Sequence, residues 1–166
     1  RASVPELTEL KGMGPAKSAQ VKAALEISRR TGRNDEINKT AFHCGSDVHR
    51  FFSPTMASLA HEEFRVLLLD TKHRLMREVT VSRGTLSGTA VDPREVYTDA
   101  IREKAAAFVC GPNHPSGDPS PSPEDHALTA RLRESGWIVG IPLLDHVIVG
   151  RQGYFRYDEE DWPTLK

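Results

Sequence analysis

Apolar positions recur along the chain in two rhythms, one near 3.6 residues and one of two, and the switches between them mark out its elements. From Pro15 to about Arg30, Val21, Ala24, Leu25 and Ser28 share one face, which predicts a helix. Arg29 and Arg30 lie near its end and Gly32 just beyond. A shorter helix to about Leu10 precedes it, because Ser3-Val-Pro-Glu6 has capping-box spacing with proline in the first turn. Gly12-Met-Gly14 supplies a backbone that turns sharply between the two. Residues 31–45 are mixed and polar and read as a linker. A helix over about 47–60 follows, with Val48, Phe51, Phe52 and Leu59 as core candidates. Residues 63–70 form an apolar run that reads as a buried strand. After a turn at 71–74, Leu75, Arg77, Val79 and Val81 alternate with Met76, Glu78 and Thr80, so a hairpin is expected. Asp92-Pro93 opens a helix to about Ala106 that buries Val96, Ala100 and Ile101. Phe108-Val-Cys110 is a short strand leading into a loop over 111–122. Ser122-Pro-Glu-Asp125 starts a helix to about Ser135, stopped at Gly136. Residues 137–142, 145–149 and 153–157 read as three more strands. Interleaved helices and strands together with a hairpin favour a mixed sheet flanked by helices.

Composition narrows the class. A chain of 166 residues is long enough for one core domain and a small appendage. The expected division is a helical hairpin over 1–33, a linker over 34–45 and the main domain over 46–166. No apolar run reaches the ~20 residues needed to span a bilayer, and the polar N-terminus has no leader-like apolar stretch. No membrane partner is expected. The start at Arg1 reads as that of a fragment or a processed chain. Cys44 and Cys110 lie far apart and make no disulfide framework, so a reducing cytoplasm is the expected compartment. The net charge is −1 but unevenly spread. Residues 1–40 hold eight Lys/Arg against five Asp/Glu, the remainder 14 against 18. The basic N-terminal segment is a candidate for nucleic-acid contact, and the main domain is not.

The chemistry concentrates in residues 113–125. His114, Ser122 and Asp125 have the spacing H-x7-S-x-x-D around a loop that enters a helix. A hydrolytic zinc site usually takes three protein ligands and a water. The position that would complete a His-x-His pair is Pro112, whose side chain has no donor atom. The plain alternative is that Ser122 and Asp125 form a capping box and His114 sits in a turn. Cys110, Asp118 and His126 are the nearby residues that would have to replace the missing ligand. His43, Cys44 and His49 match no zinc spacing and belong to the linker composition. In the N-terminal hairpin, Gly12, Gly14 and Lys17 are candidates for contact with a DNA phosphate, with a plain packing appendage as the alternative.

The run His114-Pro-Ser-Gly-Asp-Pro-Ser-Pro-Ser-Pro-Glu-Asp125 closely resembles the signature of the RadC family, a bacterial branch of the JAMM/MPN metalloprotease-like domains. The resemblance extends through Glu62–Asp70, Gly84-Thr85, Pro93-Arg-Glu-Val96 and Leu143–Gly150, covering about residues 46–157. The helix-hairpin-helix at 4–30 fits it too. It implies an α+β fold of cytidine-deaminase-like, JAMM/MPN architecture. It implies zinc held by His114 and Asp125, with Pro112 in place of the first histidine. Zinc in such a site brings the pKa of its water to about 7. Glu62 would then take the water's proton, and Ser122 would assist at the oxyanion of a peptide or isopeptide carbonyl. Asp145 and His146 fall among the family's motifs, either orienting a site residue or binding substrate, or forming a braced turn. Three readings follow: a zinc peptidase-type hydrolase with an incomplete metal site, an inactive RadC-type binding module, or a nucleic-acid accessory protein. The family name carries a DNA-repair association.

Overall fold

The computed structural model describes residues 4–10, 12–24, 40–84, 91–158 and 162. The chain divides into two compact units, residues 1–39 and 40–166. In the first, α1 spans Val4–Thr8 and residues 15–24 form α2. The turn between them has Gly12 at φ 87°, a left-handed value that glycine adopts without strain. Ser18 is the buried residue of α2, bonded through its hydroxyl to Thr8 Oγ1 at 3.2 Å. Val21, expected on the packed face, is 39% exposed. The capping serine at position 3 and the expected helix beyond residue 24, with Leu25, Ser28, Arg29, Arg30 and Gly32, lie outside the described residues.

The second unit is an α+β domain around a mixed five-stranded sheet of order β2-β1-β3-β4-β5. These strands are β1 (Glu63–Leu69), β2 (Leu75–Arg83), β3 (Ala107–Pro112), β4 (Leu143–Val149) and β5 (Tyr154–Arg156). β1 is antiparallel to β2 and β3, β3 is parallel to β4, and β4 is antiparallel to β5. The β1–β2 hairpin closes on Asp70, whose Oδ1 accepts from Lys72 N and Arg74 N. Phe64, Val66 and Leu68 of β1 and Phe108 and Cys110 of β3 join one core cluster with Val96, Tyr97 and Ala100 of α4 (Pro93–Arg102) and Leu132 of α5 (Pro123–Val139). The alternate strand positions, Leu67, Leu69 and Val109, are equally buried. α3 (Gly45–Met56) packs against β4 and buries Val48, Phe52 and Met56.

Four expectations change. Residues 40–44 belong to the second unit, since Phe42 is fully buried and Ala41 bridges Arg74. α3 ends at Met56, and Leu59 is not core. Ile101 is 56% exposed, because the stripe of α4 that packs is Val96, Tyr97 and Ala100. Residues 137–139 are helix rather than strand, and Gly136 does not stop α5. A Cβ at position 136 would meet Tyr97 Oη and Ile141 O, each at 2.8 Å, so the glycine is there for close packing. The left-handed residue that ends the helix is Gly140, at φ 76°. Trp137 is consequently 87% exposed.

Candidate functional site

Three chain segments and a helix start meet at one end of the sheet. Phe64 pairs with Pro112 across β1 and β3. Asn113 N donates to Glu63 O, and His114 N donates to Val149 O at 2.9 Å, so the loop leaving β3 is held between the start of β1 and the end of β4. The approach is close: a Cβ on Gly111 would lie 1.7 Å from Val147 O. The 115–122 loop is then tied down. Gly117 N donates to His114 O, Arg151 N to Gly117 O, and Arg151 Nη2 to Pro115 O.

α5 begins beside His114. Ser122 is its N-cap and Pro123 its first helical residue. Asp125 N donates to Ser122 Oγ at 3.1 Å, and Asp125 Oδ2 accepts from Ser122 N at 2.8 Å. A full capping box therefore forms. Ser122 Oγ also donates its proton to Asp125 Oδ2 at 2.6 Å, so that proton is committed to the carboxylate. His114 Nε2 lies 3.5 Å from the same Oδ2, an ion-pair distance rather than that of a well-formed hydrogen bond. Its Nδ1 pairs with the Asp118 carbonyl at 2.9 Å and must be the donor there. The facing Asp125 carboxylate raises the His114 pKa against the effect of burial, and the Glu62 charge adds to it. Burial pushes Asp125 up, but His114 and the two Ser122 donors outweigh this and hold it at about 2. Glu62 has its pKa raised by burial, moderated by the His114 charge and reinforced by that of Asp125. His114, Ser122, Asp125 and Glu62 thus share one electrostatic neighbourhood.

Asp145 and His146 lie behind it in β4, and the charges of Asp125 and His114 reach His146. Consecutive strand residues point to opposite faces, and these two do. Asp145 Oδ1 accepts from Tyr157 N and Asp158 N, while its Oδ2 lies 2.5 Å from where a Cβ on Gly45 of α3 would fall. Burial raises its pKa to about 6. His146 is fully buried behind the first turn of α5, stacked on Tyr157 with ring centroids 5.1 Å apart. Thr129 Oγ1 gives its proton to Asp125 O at 2.6 Å, so the 2.7 Å contact to His146 Nδ1 must be donated by the imidazole. Nε2 is then a bare lone pair, buried and without a partner among the described residues. Burial holds this ring neutral, with its pKa at about 4.

The donor set does not fit a tightly held zinc. One imidazole and one carboxylate face each other, and Pro112, which the resemblance sets at the third position, has no donor atom in its side chain. Among the described residues no group of three or more His, Cys, Asp or Glu is arranged to hold a metal ion. The candidate replacements are engaged elsewhere. Cys110 is fully buried opposite His146, and burial raises its thiol pKa well above the usual range, away from the thiolate a metal requires. The Asp118 carboxylate accepts from Ser120 N and Oγ. His126 pairs through Nδ1 with Tyr157 Oη. In the N-terminal unit, Lys17 Nζ reaches back to Gly12 O at 3.3 Å.

Sequence reasoning missed Asn113, which is almost fully buried and bonds through its side chain to both sides of Glu62. Its position between Pro112 and His114 was the available signal. It also missed Tyr157, which no motif marked.

A mixed five-stranded sheet with flanking helices, opening at one end onto a His/Ser/Asp loop, is the architecture of a JAB/MPN-like domain. Residues 42–162 match the RadC-like JAB domain, and the chain belongs to that family. It is similar to a UPF0758 protein of Syntrophotalea carbinolica, 45% identical over 153 residues, which span 92% of this chain and 67% of the relative. A UPF0758 protein of Geobacillus thermodenitrificans is 41% identical over 161 residues, 97% of this chain and 71% of the relative. One from Staphylococcus aureus, SAB1521c, is 43% identical over 169 aligned residues, 97% of this chain and 73% of the relative. No helix among the described residues is long and apolar enough to cross a membrane.

Proposed function

We propose that this chain is a RadC-type JAB domain that keeps the cleft of a peptide or isopeptide hydrolase but uses it to bind a protein segment rather than to cleave one. The observation that carries this reading is the closed pair at the cleft. With Pro112 at the third ligand position, His114 Nε2 and Asp125 Oδ2 face each other at 3.5 Å. Asp125 Oδ2 already accepts two bonds from Ser122. Such a cluster offers an extended segment the His114 imidazole and a partly buried acid, Glu62. It lacks the three-ligand set that a hydrolytic zinc takes.

The second reading is a zinc-dependent metallopeptidase-type hydrolase whose metal is completed from outside this ligand pair. It is favoured by the convergence of Glu62, Ser122, His114 and Asp125 on one end of the sheet. Hydrolysis of quenched-fluorescent peptide and isopeptide pools, with zinc supplied, separates the two. The binding reading predicts no turnover by the native chain and turnover that appears in Pro112→His and vanishes again when His114→Ala is added. Native turnover that is lost on His114→Ala would establish the second reading instead.

For the N-terminal unit we propose contact with the DNA backbone through Gly12, Gly14 and Lys17. The expected result is salt-sensitive duplex binding that disappears when residues 1–33 are removed. Binding that survives the removal would place the contact elsewhere.

A further inference from the structure

We propose that Asn113 is the positioning residue that fixes Glu62 opposite His114. It rests on the reading that these two side chains face one cleft. Asn113 lies between the vacant ligand position and His114, and only 1% of it is exposed. Its side chain does not face the cleft. Oδ1 accepts from Glu63 N at 2.8 Å, and Nδ2 donates to His61 O at 3.1 Å. Its own N donates to Glu63 O at 3.3 Å. The peptide units on both sides of Glu62 are therefore held by one amide, while Gly84 N donates to Glu62 O at 2.8 Å.

The neighbour is fixed as well. The Glu63 carboxylate is gripped by Arg65 at 2.7 Å, by His61 Nε2 at 3.1 Å and by Arg83 at 3.2 Å. Arg65 also bonds Glu78 and Thr55 Oγ1. Glu62 is thus the half-buried residue between two pinned neighbours. Its distance from His114 is set by the short backbone step from Asn113 to His114. A residue doing this must both accept and donate from one short planar side chain. Asparagine does so, whereas aspartate accepts only and leucine does neither.

The test reads geometry and needs neither metal nor bound peptide, so failure of the binding reading leaves it interpretable. The His114 ring resonances are recorded by NMR at one pH for the full chain, with and without Glu62→Gln, in the native and Asn113→Leu backgrounds. The inference predicts that Glu62→Gln moves the His114 signals in the native background and leaves them within the line width in Asn113→Leu. Glu63 N–H exchange should speed up on the order of tenfold, that of Leu67 remaining unchanged. Asn113→Asp, which keeps the acceptor, should restore part of the coupling. Equal displacement of the His114 signals in both backgrounds, with Glu63 N–H exchange accelerated, would make Asn113 a sheet staple only and overturn the inference. Should Asn113→Leu not fold, Asn113→Ser carries the same cycle with the same two outcomes.

Discussion

Asp145 and His146 are neighbours in β4, and burial favours the neutral form of both. Asp145 titrates at about 6 in the fold against 3.8 for the free side chain. The folded chain then binds more protons than the unfolded one across that window, so the contribution of Asp145 to stability is full below about pH 4 and is lost as pH rises to 6. His146 titrates at about 4 against 6.5. Here the unfolded chain binds more protons, so stability is lost as pH falls from 6.5 towards 4. Each shift corresponds to roughly 3 kcal/mol, and the two slopes oppose each other. Denaturant titrations from about pH 4 to 7 should show Asp145→Asn gaining on the native chain as pH rises, and His146→Gln gaining on it as pH falls. A pH-independent difference for either variant would contradict the burial argument for that residue. Part of this was legible in the sequence. Side chains alternate along a strand, so Asp145 and His146 had to face opposite sides. The depth of His146 and its bond to Thr129 were not legible, because they depend on where α5 crosses β4.

At the scale of elements, close backbone approach decides what composition leaves open. The hairpin, the central strand, α4 and the Ser122 cap follow from periodicity and capping spacing, and they form. The sequence around Trp137 misleads: an aromatic and two β-branched residues after a glycine read as a strand. In the structure Gly136 is a contact surface for Tyr97 and Ile141 inside a helix, and Gly140 supplies the left-handed end. Gly111 is the more demanding case, because a Cβ there would lie 1.7 Å from the Val147 carbonyl of the parallel strand. Gly111→Ala should cost at least about 3 kcal/mol, at or beyond the upper range for overpacking, and should separate β3 from β4 where Pro112 and His114 emerge. Thermal or denaturant unfolding checks this, and a loss below about 1 kcal/mol would show that β3 shifts freely.

For the whole molecule, family membership was legible because one contiguous motif, the His114–Asp125 loop, carries most of it. The state of the site was not. The resemblance sets Pro112 at a ligand position, but only the fold shows Asp125 Oδ2 bonded by Ser122 and facing His114, Cys110 buried in the core, and Asp118 and His126 bonded to other partners. The claim that follows is that one side chain separates this cleft from a metal site. Structural zinc sites bind with about 10–16 kcal/mol over four ligands, or about 3 kcal/mol per ligand, so a third protein ligand should be worth on the order of a hundredfold in affinity. Calorimetric titration of zinc into the native chain and into Pro112→His measures it directly. The account predicts weak or undetectable binding by the native chain, and at least about hundredfold tighter binding at one ion per chain in the variant, lost again when His114→Ala is added. Tight stoichiometric binding by the native chain that depends on His114, or no gain from Pro112→His, would contradict it.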